Sequence, residues 1–114
     1  MANYSPALDA AFQALADPTR RAVIQRLGLG PATVSELAEP FDMALPSFLK
    51  HIRALESSRL IASRKEGRVR TCTLQRENLL AVERWFDEQR ALWKSRYSNL
   101  DHLLKKMDGE KNGD

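Results

Sequence analysis

The chain has 114 residues, of which 18 are Lys or Arg and 15 are Asp or Glu, for a net charge of +3. This length suits one domain with its own core, which we predict over residues 1–108, followed by a disordered polar tail over 109–114. A single cysteine excludes an internal disulfide and fits a reducing compartment. The first residues lack a signal core, and no apolar run approaches the about 20 residues of a membrane span. We therefore expect a cytoplasmic protein without a membrane partner.

Two short helices are predicted near the start of the chain. Ser5-Pro6 and Asp17-Pro18 each combine a capping side chain with a proline at the first helical position, where its missing N–H does no harm. Apolar residues at helical spacing follow each pair, and the glycines and proline of 28–31 end the second helix. The apolar positions are Leu8, Ala11, Phe12 and Leu15 in the first helix and Ala22, Val23, Ile24 and Leu27 in the second.

Two further helices with a tight turn between them are predicted next. Thr33 and Glu36 fit a capping box that opens a short helix, and Pro40 ends it. A second helix is predicted over about 44–57, because apolar residues recur there at spacings of four and three. Together they form a helix-turn-helix, whose later helix is the one that enters a DNA groove. Its inner face carries Phe48, Ile52 and Leu55, and its outward side chains are Ser47, Leu49, Lys50 and Arg53, with His51 at the boundary.

A β-hairpin is predicted after Leu60, where the apolar period changes from 3.6 to 2. Its strands cover 61–65 and 68–74, and Gly67 supplies the positive φ that a tight hairpin turn usually demands. Residues 62–72 are the predicted wing. The cationic side chains on this hairpin are Arg64, Lys65, Arg68 and Arg70.

One long helix is predicted over about 78–107, since that stretch contains neither proline nor glycine. Residues at spacings of mostly four and three form an imperfect heptad seam, and the apolar stripe exceeds what so small a domain can cover by itself. We therefore expect the same helix of a second copy to cover it. The seam consists of Val82, Phe86, Gln89, Trp93, Arg96, Leu100, Leu103 and Met107.

Positive charge is concentrated between residues 44 and 70. Seven cationic and two acidic side chains give this segment +5, so the rest of the chain carries −2. A concentrated basic surface indicates a polyanionic partner, although a merely solvated charged face is the alternative. A helix sized for the major groove beside a basic ribbon sized for the minor groove or the phosphates is typical of a protein that reads double-stranded DNA.

These motifs, in this order, resemble the ArsR/SmtB family of winged-helix transcriptional regulators. Residues 15–21 (LADPTRR) look like the family's opening signature, and 34–38 (VSELA) like its support helix. Residues 46–56 (PSFLKHIRALE) resemble its recognition helix, and 64–68 (RKEGR) its wing. The predicted fold is mainly α with a small β-hairpin, a winged helix-turn-helix of about five helices and a two-stranded wing. The resemblance implies a homodimer, joined through its first and last helices, that binds a palindromic operator as a repressor.

The expected site residues fall into two groups. The residues expected at DNA are Ser47, Leu49, Lys50, His51, Arg53, Arg64, Lys65, Arg68 and Arg70. The residues expected at the dimer interface are Leu8, Phe12, Phe86, Trp93, Leu100 and Leu103. For His51, a role as donor to a phosphate or base edge stands against that of a packed histidine.

The chain departs from the family pattern at three positions. Ala44 stands where a capping Ser is usual, so we predict that Asp42 caps the recognition helix or that the helix start frays. Arg59 stands where that helix commonly ends in Gly, which predicts a non-Gly residue at positive φ at a cost of about 1 kcal/mol. Leu49 replaces a small polar residue. With Leu45, it packs on thymine methyls, joins a dimer contact or is simply exposed.

Metal sensing, known in other members of the family, is not expected here. A thiolate site needs at least two or three converging sulfurs, and this chain has one; His51 and His102 are far apart in sequence. We predict neither a metal nor another cofactor. Cys72 is either an inert buried thiol or the single cysteine of a redox-sensing repressor. An unknown small-molecule effector, bound between subunits, stays open.

Two rival functions differ in class from a DNA-binding regulator. An enzyme is not expected, because the chain has no Gly-rich phosphate loop and no nucleophile beside a base. A winged-helix module that binds a protein instead of DNA is the stronger rival, since a fold alone does not decide function. Salt separates the two, because DNA binding releases counterions and weakens steeply as salt rises.

Overall fold

The structure, a computed structural model, describes residues 5–112, with side chains as far as residue 108. Five helices and three strands make up this part of the chain, and the predicted winged helix-turn-helix is confirmed. The chain divides into two compact units, one ending at Val82 and one beginning at Glu83. The elements are α1 (Pro6–Leu15), α2 (Pro18–Leu27), β1 (Ala32–Thr33), α3 (Val34–Ala38), α4 (Leu45–Ser57), β2 (Ile61–Glu66), β3 (Val69–Leu74) and α5 (Arg76–Asn112).

The predicted division into a domain over 1–108 and a tail over 109–114 stays a prediction. Helix α5 is described as far as Asn112, and residues 113–114 lie outside the described residues. No helix of the described part is both long enough and apolar enough to cross a membrane.

The first three helices begin at the capping residues that the sequence predicts. Ser5 and Asp17 each accept a backbone N–H from the first turn of the helix they precede, at 3.2 and 3.0 Å. Thr33 and Glu36 form both bonds of the capping box, each 3.1 Å long. Bonds from the backbone and the hydroxyl of Thr33 to the Glu36 carboxylate hold the pKa of Glu36 below its ordinary value.

Helix α4 begins without a side-chain cap. Ala44 is the N-cap residue and no side chain bonds to the free amides, so the predicted cap by Asp42 is wrong. Pro46 lies in the first turn, where it has no N–H to satisfy and a φ already suited to a helix. This proline removes one of the free donors that a cap would otherwise serve.

The end of α4 is a Schellman turn built around Arg59. The Leu60 N–H donates to the Leu55 carbonyl at 3.1 Å, and the Arg59 N–H donates to the Glu56 carbonyl at 3.0 Å. Arg59 has a φ of 63°, which confirms the predicted left-handed residue. Leu55 and Leu60 are fully buried, so the turn also closes over an apolar contact pair of the usual type.

The sheet has one more strand than the sequence predicts. Its order is β1-β3-β2, all antiparallel, and the two residues of β1 pair Ala32 with Cys72 and Thr33 with Thr71. Strands β2 and β3 form the predicted hairpin, which we call the wing (residues 61–74). Gly67 takes a φ of 61° at the first position of its two-residue turn, as in a type II′ turn.

The core of the first unit lies between the helices and the sheet. Phe48, Ile52 and Leu55 from α4 are fully buried, as their spacing predicts, and Phe48 packs 5.5 Å from the ring of Phe41. This burial anchors the inner face of α4, which leaves the opposite face to solvent. The buried apolar residues are Ala11, Ala14, Val23, Leu27, Ala32, Leu37, Phe48, Ile52, Leu55, Leu60, Ile61, Cys72 and Val82.

The second unit consists of α5 from Glu83 onward. Large apolar side chains along it are about half exposed. From Trp93 onward they recur at spacings of three and four and give a continuous stripe, and Phe86 lies two turns earlier on the same side of the helix. The exposed members are Phe86, Leu92, Trp93, Tyr97, Leu100, Leu103, Leu104 and Met107.

Candidate nucleic-acid interface

The outward face of α4 carries three of the predicted site residues. Ser47, Lys50 and Arg53 are exposed, and their spacing of three places them along one side of the helix. Leu49, predicted to point outward, is instead half-buried, because it lies beside Phe48 at the edge of the inner face. His51 is also half-buried.

The cations of the wing are divided between its two faces. Opposite residues of an antiparallel pair share a face, so Lys65 and Arg70 lie together on the face that continues into the core. Arg64 lies on the other face, where its Nε is 3.3 Å from Glu66 Oε1. Arg68 occupies the second position of the turn.

Four cationic side chains of α4 and the wing form no ion pair within residues 5–108. They are exposed, so water and mobile ions balance their charge. Such side chains can bind phosphates without first breaking an ion pair inside the protein. These side chains are Lys50, Arg53, Lys65 and Arg68.

Arg70 is engaged at the junction of the wing with α4. Its Nη1 donates to Ser63 Oγ at 2.9 Å, and Ser63 Oγ donates to Glu56 Oε2 at 3.0 Å. Arg70 Nη1 also lies 4.0 Å from the same Glu56 oxygen. Glu56 therefore balances one of the guanidinium groups that the sequence assigns to DNA.

His51 faces the α1–α2 corner through its Nδ1 atom. Arg20 Nη1 lies 3.3 Å from this nitrogen, and Asp17 Oδ2 lies 3.6 Å from it. Arg20 is bonded to the end of α1, since its Nε and Nη2 donate to the carbonyls of Ala14 and Gln13 at 2.6 and 3.2 Å. The recognition helix is thus joined to the corner where α2 begins.

The pKa of Asp17 lies below its ordinary value. Partial burial raises it, but a hydrogen bond from the backbone of Arg20, the charge that His51 carries when protonated and the charge of Arg20 together lower it by more. The carboxylate is therefore ionised wherever the protein is folded near neutral pH, and it acts as N-cap in that form.

Cys72 is fully buried at the centre of the sheet. Burial raises the pKa of its thiol, and the nearby Glu56 carboxylate raises it further, whereas Arg70 lowers it. The thiolate is the reactive form of cysteine, so this environment disfavours the redox-sensor alternative. Among the described residues, no three His, Cys, Asp or Glu side chains come together as a set of metal ligands.

An exposed cationic helix beside a basic β-ribbon defines the class of winged helix-turn-helix proteins. A helix-turn-helix domain model matches residues 15–64, which span α2 to the middle of β2. The crystal structure of an ArsR family transcriptional regulator, RHA00566, is 63% identical with a TM-score of 0.78. That match covers 83% of this chain and 98% of the other. The chain belongs to the ArsR family of transcriptional regulators.

Other relatives agree with this assignment. An ArsR-like transcriptional regulator from Rhodococcus sp. RHA1 has a TM-score of 0.71 at 27% identity, over 85% of this chain and 92% of that one. The HTH-type transcriptional regulator Rv2034 of Mycobacterium tuberculosis is 40% identical over 74 residues, which are 65% of this chain and 69% of the relative. The transcriptional repressor SdpR of Bacillus subtilis is 34% identical over 56 residues, 49% of this chain and 62% of SdpR.

Family membership decides between a DNA-binding regulator and an enzyme. The chain is a transcriptional regulator of the DNA-binding helix-turn-helix class, and it is not an enzyme. The sequence alone does not identify Asp17, Arg20 and Glu56 as partners of predicted site residues. Asp17 and Arg20 stand in the family signature at 15–21, which is the one signal that could have singled them out.

Proposed function

We propose that the protein is a homodimeric repressor that binds a palindromic operator. Two copies of α4 enter successive major grooves, about 34 Å apart, and the two wings reach the flanking backbone or minor groove. Bound in this way, the dimer blocks transcription. SdpR, a relative named as a transcriptional repressor, supports the direction of the effect.

The observation that carries the proposal is the set of four exposed cations without an ion pair on α4 and the wing. Two lie on the outward face of the helix and two lie near the tip of the wing. In this arrangement Lys50 meets a base edge or phosphate, Arg53 the backbone, and Lys65 and Arg68 the flanking phosphates. Ser47 lies on the same side of α4, and Leu49 and His51 border it.

The proposed dimer uses α1 and α5. In the first unit, Leu8 and Phe12 are half-buried and pack against the core, so each offers part of its surface to a partner. In the second unit, Phe86, Trp93 and Leu100 belong to the exposed stripe, as does Leu103. A stripe of this composition on a monomer marks an interaction surface, and the same stripe on a second copy is complementary to it.

The proposal is tested with DNA fragments selected by the whole protein from a random pool. Affinity for a selected fragment is measured by fluorescence anisotropy at salt concentrations from about 50 to about 200 mM. Over this range, a protein that makes roughly 6–10 phosphate contacts loses affinity by a factor of about 10³–10⁵. Sedimentation of the same sample gives the number of chains per fragment. A steep loss with two chains bound supports the proposal. No binding at low salt contradicts it and favours the protein-interaction module.

A further inference from the structure

We propose that Arg20 selects the neutral form of His51 that carries its proton on Nε2, and so presents a hydrogen-bond donor to the operator. The inference rests on the proposed function, because it assigns His51 a role in DNA binding. Arg20 does not touch DNA in this proposal. It acts as a positioning residue through His51.

The contact between Arg20 and His51 decides which ring nitrogen bears the proton. A guanidinium only donates hydrogen bonds and does not lose its proton in proteins. Nδ1 of His51, 3.3 Å from Arg20 Nη1, must therefore use its lone pair in this bond. A neutral imidazole has a single N–H, which is then on Nε2. Asp17 Oδ2, which would favour a proton on Nδ1, is 3.6 Å away and beyond hydrogen-bond reach.

Arg20 is held in place independently of His51. Its Nε and Nη2 donate to two carbonyls in the last turn of α1, and its backbone N–H donates to Asp17 Oδ2 at 3.0 Å. These bonds prevent the guanidinium from following the ring if the ring turns over. The arrangement therefore favours one orientation of the imidazole as well as one protonation.

The Nε2 atom of His51 is at least partly accessible to solvent, in a side chain that is 21% exposed. It forms no hydrogen bond with any described residue, and no buried side-chain nitrogen in the described part of the chain lacks a partner. An Nε2 without a partner must therefore be exposed. His51 stands between Lys50 and Arg53 in sequence, both of which are exposed on α4. Its partner on DNA is a hydrogen-bond acceptor, either on a base edge in the major groove or on a phosphate.

The protonation state is tested by long-range ¹H–¹⁵N spectra of the imidazoles at a pH where both histidines are neutral. The His102→Gln variant assigns the signals, because His102 is the other histidine of the chain and lies exposed on α5. We expect His51 to be protonated on Nε2 in the wild type and to become a mixture of both forms in Arg20→Met, which has no hydrogen-bond donor in its side chain. A wild-type His51 protonated on Nδ1 would overturn the proposal, whether or not Arg20→Met folds, and so would an unchanged Nε2 form in a folded Arg20→Met.

The role at DNA is tested with two substitutions of His51 that differ in where they place an amide. Gln puts its amide nitrogen near the position of Nε2, and Asn puts its amide near that of Nδ1. We expect His51→Gln to retain wild-type affinity within about threefold and His51→Asn to lose on the order of tenfold per subunit, the range of the one hydrogen bond that each copy of His51 makes in the proposal. Equal affinities of the two variants would overturn the donor role.

The acceptor on DNA is located by repeating the comparison with altered operators. If one base-pair substitution made symmetrically in both half-sites abolishes the difference between the Gln and Asn variants, the acceptor is a base edge. If a methylphosphonate at the same position of both half-sites does so, the acceptor is a phosphate. If neither does at any position, His51 does not donate to DNA. A wild-type protein that binds no DNA at all refutes the proposed function, while the spectra still report on the Arg20–His51 contact.

Discussion

The Ser63 hydroxyl donates a hydrogen bond to the Glu56 carboxylate at 3.0 Å, and this bond joins the wing to the recognition helix. Arg70 completes the junction from the neighbouring strand by donating to the same hydroxyl at 2.9 Å. An acidic group thus lies within the segment of highest positive charge. Because Glu56 balances Arg70, it lowers the charge that the surface presents to phosphates.

Glu56→Gln should bind DNA more tightly than the wild type. The amide oxygen can still accept the Ser63 hydrogen bond, but Arg70 loses its counter-charge. For each subunit of the proposed dimer we expect a gain of about 1 kcal/mol, the energy of unit charges 4 Å apart in water, or about fivefold in affinity at low salt. The salt slope of the dimer should steepen by about two phosphate contacts, one per subunit. Anisotropy titrations over a range of salt measure both. Glu88→Gln, on the exposed surface of α5, is the control and should change neither. An unchanged salt slope for Glu56→Gln would mean that Arg70 does not contact the DNA backbone.

Lys50→Ala and Arg68→Ala should weaken DNA binding without unfolding the protein. Each removes one exposed cation without an ion pair from each subunit, so we expect each salt slope to fall by about two contacts per dimer. The free energies of unfolding, measured in urea, should stay within about 0.5 kcal/mol of the wild type, as for other surface changes. Lys105→Ala and Arg84→Ala remove cations of the same types from α5 and serve as controls. Wild-type binding by both test variants would remove these two residues from the interface.

Arg59→Gly should stabilise the protein. A residue with a side chain is strained at a φ of 63°, and glycine is not, so we expect a gain of about 1 kcal/mol in the free energy of unfolding. Urea denaturation measures it. Arg59→Ala removes the charge and keeps the Cβ, so it separates the two effects and should give no gain. Equal stabilisation by Gly and Ala would show that the charge of Arg59, not its backbone, is unfavourable.

Asp17→Asn should make the protein less sensitive to acid. Because the folded-state pKa of Asp17 is lowered, the carboxylate contributes stability above its unfolded pKa of about 3.9, and this contribution is lost as pH falls through the folded value. Asn caps a helix about as well as Asp but does not titrate, so its variant lacks this loss. Urea midpoints between pH 7 and pH 3 should fall less in the variant than in the wild type. Parallel curves for the two proteins would contradict the assignment.

Trp93→Ala should shift the protein towards monomer. The indole is 47% exposed on α5, and in the proposed dimer the partner covers it. Truncating a buried aromatic at an interface commonly costs 2 kcal/mol or more, roughly a 30-fold weaker dimer. Sedimentation over a dilution series measures the change, with Arg84→Ala as a control on the same helix. A variant as dimeric as the wild type would place the interface elsewhere.

Most of the fold that the sequence predicts depends on interactions between residues close together in the chain. The caps at Ser5, Asp17 and Thr33 and the turn at Gly67 depend on residues within three positions of one another. Strand β1 cannot be predicted in this way, because a strand of two residues is too short to show an apolar period. Its pairing partner in β3 lies about 40 residues further along the chain.

The sequence predicts which cationic side chains of α4 are exposed, but it does not predict the contacts that the residues around them make. Spacing on α4 identifies Lys50 and Arg53 as exposed, since periodicity is a property of one helix. It does not reveal that Arg20, 31 positions before His51, reaches its ring, because that contact depends on how α1, α2 and α4 pack. The same holds for Glu56 and Arg70, which different elements bring together.

Only residues 58–60 separate the last turn of α4 from the first residue of β2, and two backbone bonds close that connection. In the proposed complex, the footprints of the helix and the ribbon on a duplex therefore keep one separation, and the protein has little freedom to adjust it. Where an operator's own geometry differs, the duplex must bend or change its groove width. Base pairs that no side chain touches should then influence affinity through their deformability.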